Sequence, residues 1–503
     1  MPVSQSGPVL CERAASHPTR TAVVDAAGNH TYQQLLDASA RVASRLLDGR
    51  PDLEEARIAF FVSPGFQHVA IQWGIWRAGG IAVPLALTYP PAELEYVIRD
   101  AEASAVVAEA GAGATAMLGP LAKAADARFL TVADALAGEP GTLPSVAPDR
   151  RAMMVYTSGT TGKPKGVVTT HANLEAQITA LVEAWAWSDA DRILLVLPLH
   201  HVHGIINVVS CALWAGAVCE TLPKFDADLT WERIASGRLT LFMAVPTIYS
   251  RLITAWDSAT PERRAAMSAG CRGMRLMVSG SAALPVQTLE RWREISGHTL
   301  LERYGMTELG MALSNPLHGD RRPGFVGAPL PGVEVRLVDE NGVPVPPGTP
   351  GEIEVRGPNV FLEYWRRPDA TLHAFREGWF RTGDTAVVDN GSYRILGRSS
   401  IDIIKTGGFK VSALEIEEEL RTHPAVAECA VVAVPDAEWG ERICAAVELR
   451  ENQTLELGEL QRWAKERLAP YKLPRALTCV AALPRNAMGK VVKPEVVKLF
   501  AAG

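Results

Sequence analysis

At 503 residues, 48% hydrophobic and 21% charged, the chain is too long for one ordinary domain, and its composition excludes a largely disordered or fibrous protein. Its 50 Lys and Arg against 56 Asp and Glu give a formal net charge of -6, so nothing global attracts it to nucleic acid or an anionic membrane, and small-molecule or protein partners are expected. Seven scattered cysteines, never spaced C-x-x-C, argue against a disulfide framework or a zinc site and read as reduced core thiols.

The opening MPVSQSGPVL has no charged segment followed by an apolar one, so no secretory signal is read and a cytoplasmic location is expected. Apolar runs at 58–62, 194–197 and 276–278 predict strands, and they alternate with helix-period segments in the manner of α/β layers. After His171, the residues Leu174, Ile178, Leu181, Val182 and Trp185 fall on one helical face. The apolar stretch 205–219 is broken by Asn207, Ser210 and Gly216 and is too short to span a bilayer. From about Asp339 the texture changes to short strands and turns, with VPVPPGTPG at 343–351 and GPNVFLEYW beyond it. Past Arg398 a tail of helix 413–420, strands 426–434 and 444–449, helix 457–468 and strand 477–483 is long enough to close a core of its own, which puts a domain boundary at 398–402.

The strongest local signal is TSGTTGKPKG at 157–166, between β-like runs 153–156 and 167–170. Its glycines allow close backbone approach, its four hydroxyls and N–H groups can surround phosphate oxygens, and Lys163 and Lys165 add charge, so it reads as a polyphosphate site. The plainer reading is a surface turn. A Walker loop is excluded, because Thr157 stands at the first glycine position and Pro164 follows Lys163.

Together with LPLHHVHG (197–204), SGSA (279–282), RYGMTE (303–308), RTGD (381–384), LGR (396–398), KTGGFKV (405–411) and PRNAMGK (484–490), this loop resembles the adenylate-forming superfamily of acyl-CoA synthetases, nonribosomal adenylation domains and luciferases. The motifs stand in that superfamily's order from Tyr156 to Lys490, and LPLHHVHG, SGSA and ERYGMTE are most similar to the malonyl-CoA synthetases. The resemblance implies an α/β protein: a large N-terminal body (1–398) of layered α/β subdomains with a small β-barrel, a hinge (399–402), and a smaller, mobile α+β cap (403–503). It implies two half-reactions. A carboxylate and Mg·ATP give an acyl-adenylate and pyrophosphate, and the CoA thiol then displaces AMP, a far better leaving group than the bare carboxylate offers.

By the same resemblance, Glu308 binds Mg²⁺ and Thr307 contacts the α-phosphate. Tyr304 packs on adenine beside Gly280, Ser281 and Ala282, while Asp384 accepts from the ribose hydroxyls with Arg398 assisting. The phosphates fall to Thr157, Ser158, Gly159, Thr160, Thr161, Gly162, Lys163 and Lys165. Lys490 bridges the substrate carboxylate and the α-phosphate, and Gly407 and Gly408 reach a thiol tunnel gated by His201. The hinge departs from the pattern: Ser400 stands where the superfamily usually has Asp or Lys, followed by Ile401 and Asp402, so Ser400 and Asp402 both remain candidate pivots.

The acid pocket is assigned to Arg303, His203, Ser279 and Met306. A guanidinium buried beside an apolar chain would lack a partner, so Arg303 asks for a second anion, and a short dicarboxylate, malonate or methylmalonate, is expected. Two plainer alternatives stand: Arg303 paired with Glu302 or another carboxylate, and His203 as a core histidine beside a gating His201. Competing activities are a ligase for another short-chain, aryl or amino acid, or an enzyme loading a separate carrier protein, no carrier segment following Lys490.

Overall fold

Runs of Val, Ile, Leu and Phe too short for helices become interior strands of two large sheets, where burial on both faces suits continuous apolar sequence. A computed structural model of the protein describes residues 7–157, 163–399, 401–406, 409–436, 438–485 and 490–500. One sheet has nine strands, in the order Ala328–Pro329, Gly310–Ser314, Leu301–Met306, Leu276–Ser279, Leu241–Ala244, Arg192–Leu195, Val218–Thr221, Thr21–Asp25, Gly28–Thr31. Its strands from Leu301–Met306 to Thr21–Asp25 are parallel. The second sheet has seven, in the order Glu363–Tyr364, Lys165–Thr170, Arg151–Thr157, Ile81–Pro84, Arg57–Phe61, Ala105–Ala108, Arg128–Thr131.

The loop at 157–166 joins the antiparallel arms Arg151–Thr157 and Lys165–Thr170, whose pairing runs out to Thr157 opposite Lys165. The arms therefore reach further into the loop than the sequence suggests. Helix His171–Ala184 starts on Thr170, whose hydroxyl accepts from the Asn173 N–H, and buries Leu174, Ile178 and Leu181. The apolar stretch expected at 205–219 is a buried π-helix, His203–Ser210, running into helix Cys211–Trp214 and strand Val218–Thr221. Among the described residues, no helix is long and apolar enough to cross a membrane.

The Pro/Gly-rich region forms a five-stranded antiparallel sheet of Glu334–Val338, Gly351–Arg356, Trp379–Asp389, Phe375–Arg376 and Ser392–Arg398. The last sheet contains Phe409–Ser412, Ile403–Thr406, Gly440–Leu449, Val426–Asp436 and Ala476–Val480. Two small cores flank it, one around Ile416, Leu420 and Leu460, the other around Leu483 and Val496. Helix Leu457–Ala464 ends about a turn earlier than its apolar pattern suggests, and a 3-10 turn, Pro470–Lys472, follows it.

Candidate active site

Ser279 and Arg303 lie at the carboxyl ends of adjacent parallel strands, the edge of an α/β sheet where ligands collect. Arg303 is 3% exposed, and among the described residues no carboxylate pairs with it. Its guanidinium lies flat against Gly280, where a Cβ would meet Cζ at 2.6 Å, so only glycine admits this side chain here. Its terminal nitrogens reach Ser281 Oγ at 3.4 and 3.5 Å, and its Nε has no partner. The suggested pairing with Glu302 does not occur: neighbours on a strand face opposite sides, and Glu302 instead accepts from the Gly324 N–H at 3.3 Å. Burial pushes Arg303 down to about 9, a shift that an anion facing it would relieve.

His203 opens the π-helix, and its Nδ1 lies 3.2 Å from Ser281 Oγ. Arginine only donates, so Ser281 Oγ accepts from Arg303 and its one proton is free for His203 Nδ1, which leaves the proton of the ring on Nε2. Burial and then Arg303 hold this imidazole well below its usual pKa, so it is neutral. His203 Nε2, Ser279 Oγ and both amide atoms of Asn207 are buried without a hydrogen-bond partner among the described residues. In a helix bonded i to i+5, Asn207 comes round to nearly the same face as His203. His201 packs on His200 at 4.2 Å, and burial, His200 and Lys490 push it down to about 3. His203, rather than His201, belongs to the Arg303 cluster.

The hairpin Leu301–Met306 to Gly310–Ser314 carries Thr307 and Glu308 on its turn. Gly310 has φ +61, and a Cβ there would strike Gln177 at 2.5 Å, which fixes glycine at the turn's exit. Glu308 is buried; burial raises its pKa, and Tyr364 Oη, donating to Oε1 at 3.0 Å, opposes the rise. Tyr304 donates to Asp384 Oδ2 at 2.5 Å, and Arg398 Nε donates to Oδ1 at 3.0 Å. Asp384 and Arg398 are register partners across antiparallel strands, so a motif pair split in sequence is one cross-strand pair. Met306 is half-buried at the strand's end.

Lys163 Nζ lies 5.6 Å over the Tyr96 ring and Lys165 Nζ 4.9 Å over the Tyr364 ring. Ser158, Gly159, Thr160, Thr161, Gly162, Ser400, Gly407 and Gly408 lie outside the described residues. Lys490 is exposed to solvent, yet burial and then Arg303 and Arg398 depress its pKa against Asp384, the combination expected of an ammonium inside an open cleft. The cluster thus gathers Arg303, His203, Ser281, Tyr304, Asp384, Arg398 and Lys490.

A family described as "AMP-binding enzyme" matches residues 10–365, and its C-terminal domain, "AMP-binding enzyme C-terminal domain", matches 415–490. The chain belongs to the AMP-binding enzyme family. Malonate–CoA ligase ACSF3, mitochondrial, of Mus musculus is 48% identical over 98% of this chain and 90% of that protein. The malonate–CoA ligase of Arabidopsis thaliana is 40% identical over 98% and 90% of the two chains. ATP-bound MatB from Rhodopseudomonas palustris is similar in structure, with a TM-score of 0.90 at 36% identity over 98% of this chain and 99% of that one. In this AMP-binding enzyme the sequence motifs missed Asn207, read only as a break in an apolar run, and Tyr364, inside a segment read as turns. A polar residue interrupting a buried stretch was the available signal for the first; only the contacts reveal the second.

Proposed function

We propose that this protein is an ATP-dependent malonate–CoA ligase that forms malonyl-adenylate and passes the acyl group to CoA, releasing AMP and pyrophosphate. The observation that carries the choice of acid is Arg303: buried, without a carboxylate partner among the described residues, and gathered with Ser281, His203 and the buried hydroxyl of Ser279. A distal carboxylate supplies the missing counter-charge, whereas a fatty or aryl chain would leave a desolvated cation unpaired. Met306 and Asn207 complete the acid site in this reading.

One malonate carboxylate attacks the α-phosphorus while the distal one rests on Arg303. Lys490 faces the charge that builds between the carboxylate and the α-phosphate, and Thr307 donates to the same phosphate. The residues 157–165 hold the β- and γ-phosphates, Tyr304 covers adenine beside 280–282, and Asp384 takes the ribose hydroxyls. Both Asp384 oxygens already accept one protein hydrogen bond, and each keeps a second acceptor site. Glu308, a buried hard carboxylate, would hold a Mg²⁺ arriving with ATP. When bound, that ion supplies neutralisation of the phosphate charge.

The second half-reaction needs a different cap position, with Gly407 and Gly408 turned toward a tunnel at His201. We divide the chain into body 1–398, pivot 399–402 and cap 403–503. Ser399 is held to the body, its N–H on Gly383 O at 2.9 Å and its Oγ 2.8 Å from Thr385. Asp402 is held to the cap by Lys493 at 2.5 Å and the Ala413 N–H at 2.7 Å. In this reading the pivot lies between Ser399 and Asp402, which favours Ser400, and rotation there would break the two Arg398–Asp402 hydrogen bonds of 2.7 and 3.0 Å. The seven cysteines are free thiols, which suits the reducing interior of a cell and with it a cytoplasmic location.

The test is pyrophosphate exchange over a panel of malonate, methylmalonate, butyrate, benzoate and amino acids. Malonate should give the highest kcat/KM, with AMP as product. Preference for butyrate or benzoate would overturn the acid assignment, and release of ADP with phosphate would overturn the adenylate chemistry.

A further inference from the structure

Glu308 and Lys165 belong to different sheets, one on the turn of a hairpin in the nine-stranded sheet, the other beside the loop 157–166 in the seven-stranded sheet. A short segment ties the two together. The Phe361 N–H donates to Glu308 O at 2.7 Å, Leu362 N–H to Val168 O at 2.9 Å and Trp365 N–H to Gly166 O at 2.8 Å, while Glu363 and Tyr364 pair with Val168 and Val167. Within it, one side chain touches both functional groups: the Tyr364 hydroxyl donates to Glu308 Oε1 at 3.0 Å, and the face of its ring carries Lys165 Nζ at 4.9 Å. The ring is itself braced. It packs on Phe361 at 4.8 Å, Phe361 packs on Phe375 and Phe380, and the Tyr364 N–H donates to Thr371 Oγ1 at 3.0 Å.

We propose that Tyr364 is a positioning residue for adenylate formation, fixing Glu308 through its hydroxyl and Lys165 through its ring so that a carboxylate from one sheet and a cation from the other meet one Mg·ATP. It touches no reacting atom. Among the described residues its hydroxyl is the only side-chain donor to Glu308, so removing it frees a buried carboxylate to turn. The proposal rests on the adenylate reading but not on malonate, since any accepted acid meets the same ATP.

The test uses the full chain with Tyr364→Phe, which keeps the braced ring, and Tyr364→Leu, which removes it. Calorimetry with ATP and with Mg·ATP separates the two contacts. Tyr364→Phe should weaken Mg·ATP binding by about ten- to a hundredfold, the scale of a hydrogen bond to a charged group, and leave binding of metal-free ATP unchanged. Tyr364→Leu should weaken both, the second by a few-fold as Lys165 loses its aromatic seat. Adenylation with whichever acid the wild type prefers should fall in parallel, while CoA transfer from supplied acyl-adenylate stays within about twofold. In a Glu308→Gln background, Tyr364→Phe should cost nothing further. Unchanged Mg·ATP affinity in Tyr364→Phe, equal losses in both half-reactions, or full additivity with Glu308→Gln would each overturn the proposal. A wild type that adenylates only butyrate would instead overturn the acid assignment and leave this proposal standing.

Discussion

In the proposed reading Arg303 sets the chemistry of the acid site, because a guanidinium 3% exposed with no carboxylate partner among the described residues is stable only when something else brings the negative charge. Arg303→Leu should cost malonate turnover about 2 to 5 kcal/mol in kcat/KM, thirtyfold or more, as truncation of a buried charge pair does. The same substitution should raise kcat/KM for butyrate, since the cation that penalised an apolar tail is gone. Steady-state kinetics on the two acids check both directions; equal losses would make Arg303 a structural residue. The Arg303 motif was legible in the sequence, but its freedom from Glu302 was not, because which face of a strand each residue takes depends on register rather than adjacency.

At the scale of elements, the site depends on a strand exit that passes close beneath a side chain. In Gly280→Ala the new Cβ would sit 2.6 Å from the Arg303 guanidinium, which is the movable partner, whereas the backbone is not. Relief should come from displacement of Arg303, with the melting temperature little changed and malonate kcat/KM down on the order of a hundredfold, while butyrate is spared. Thermal melts beside kinetics distinguish this from general damage. The cap depends on a second element-level contact: Lys493 reaches Asp402 at 2.5 Å and Glu417 at 2.8 Å, and all three are largely buried. Lys493→Met leaves the largely buried Asp402 carboxylate without its cation and Glu417 with Arg421 alone at 3.4 Å, and should destabilise the cap by about 3 to 5 kcal/mol, read as an early unfolding transition in calorimetry.

Across the whole molecule, the cap stands with Lys490 among the body's charges, and it touches the helix Val286–Ser296 through Gln287 Nε2 to Arg421 O at 3.4 Å. This is the arrangement that the role proposed for Lys490 in adenylation calls for. Lys490→Ala should therefore slow adenylation by about a hundred- to a thousandfold and leave transfer from supplied malonyl-adenylate to CoA nearly intact. The pH profile follows from the depressed pKa: the ammonium is present below it and lost as pH rises through it. In kcat/KM, which reports the free enzyme, adenylation should fall on an alkaline limb placed lower than an ordinary lysine gives, and that limb should be missing from CoA transfer. Stopped-flow of each half-reaction against pH measures both.

The sequence alone determined the layered α/β body and the tail with its own cores, because local pattern is carried by neighbouring residues. Helix Ala413–Leu420 matches its periodicity residue for residue, and the loop falls between the two strands its flanking runs predict. What only the tertiary structure decided is which groups face one another. Tyr304 on Asp384, Tyr364 bridging Glu308 and Lys165, and His203 rather than His201 beside Arg303 all join residues far apart in the chain. Contacts of that kind are fixed by sheet order and cross-strand register, which are properties of the packed molecule and are written in no single stretch of it.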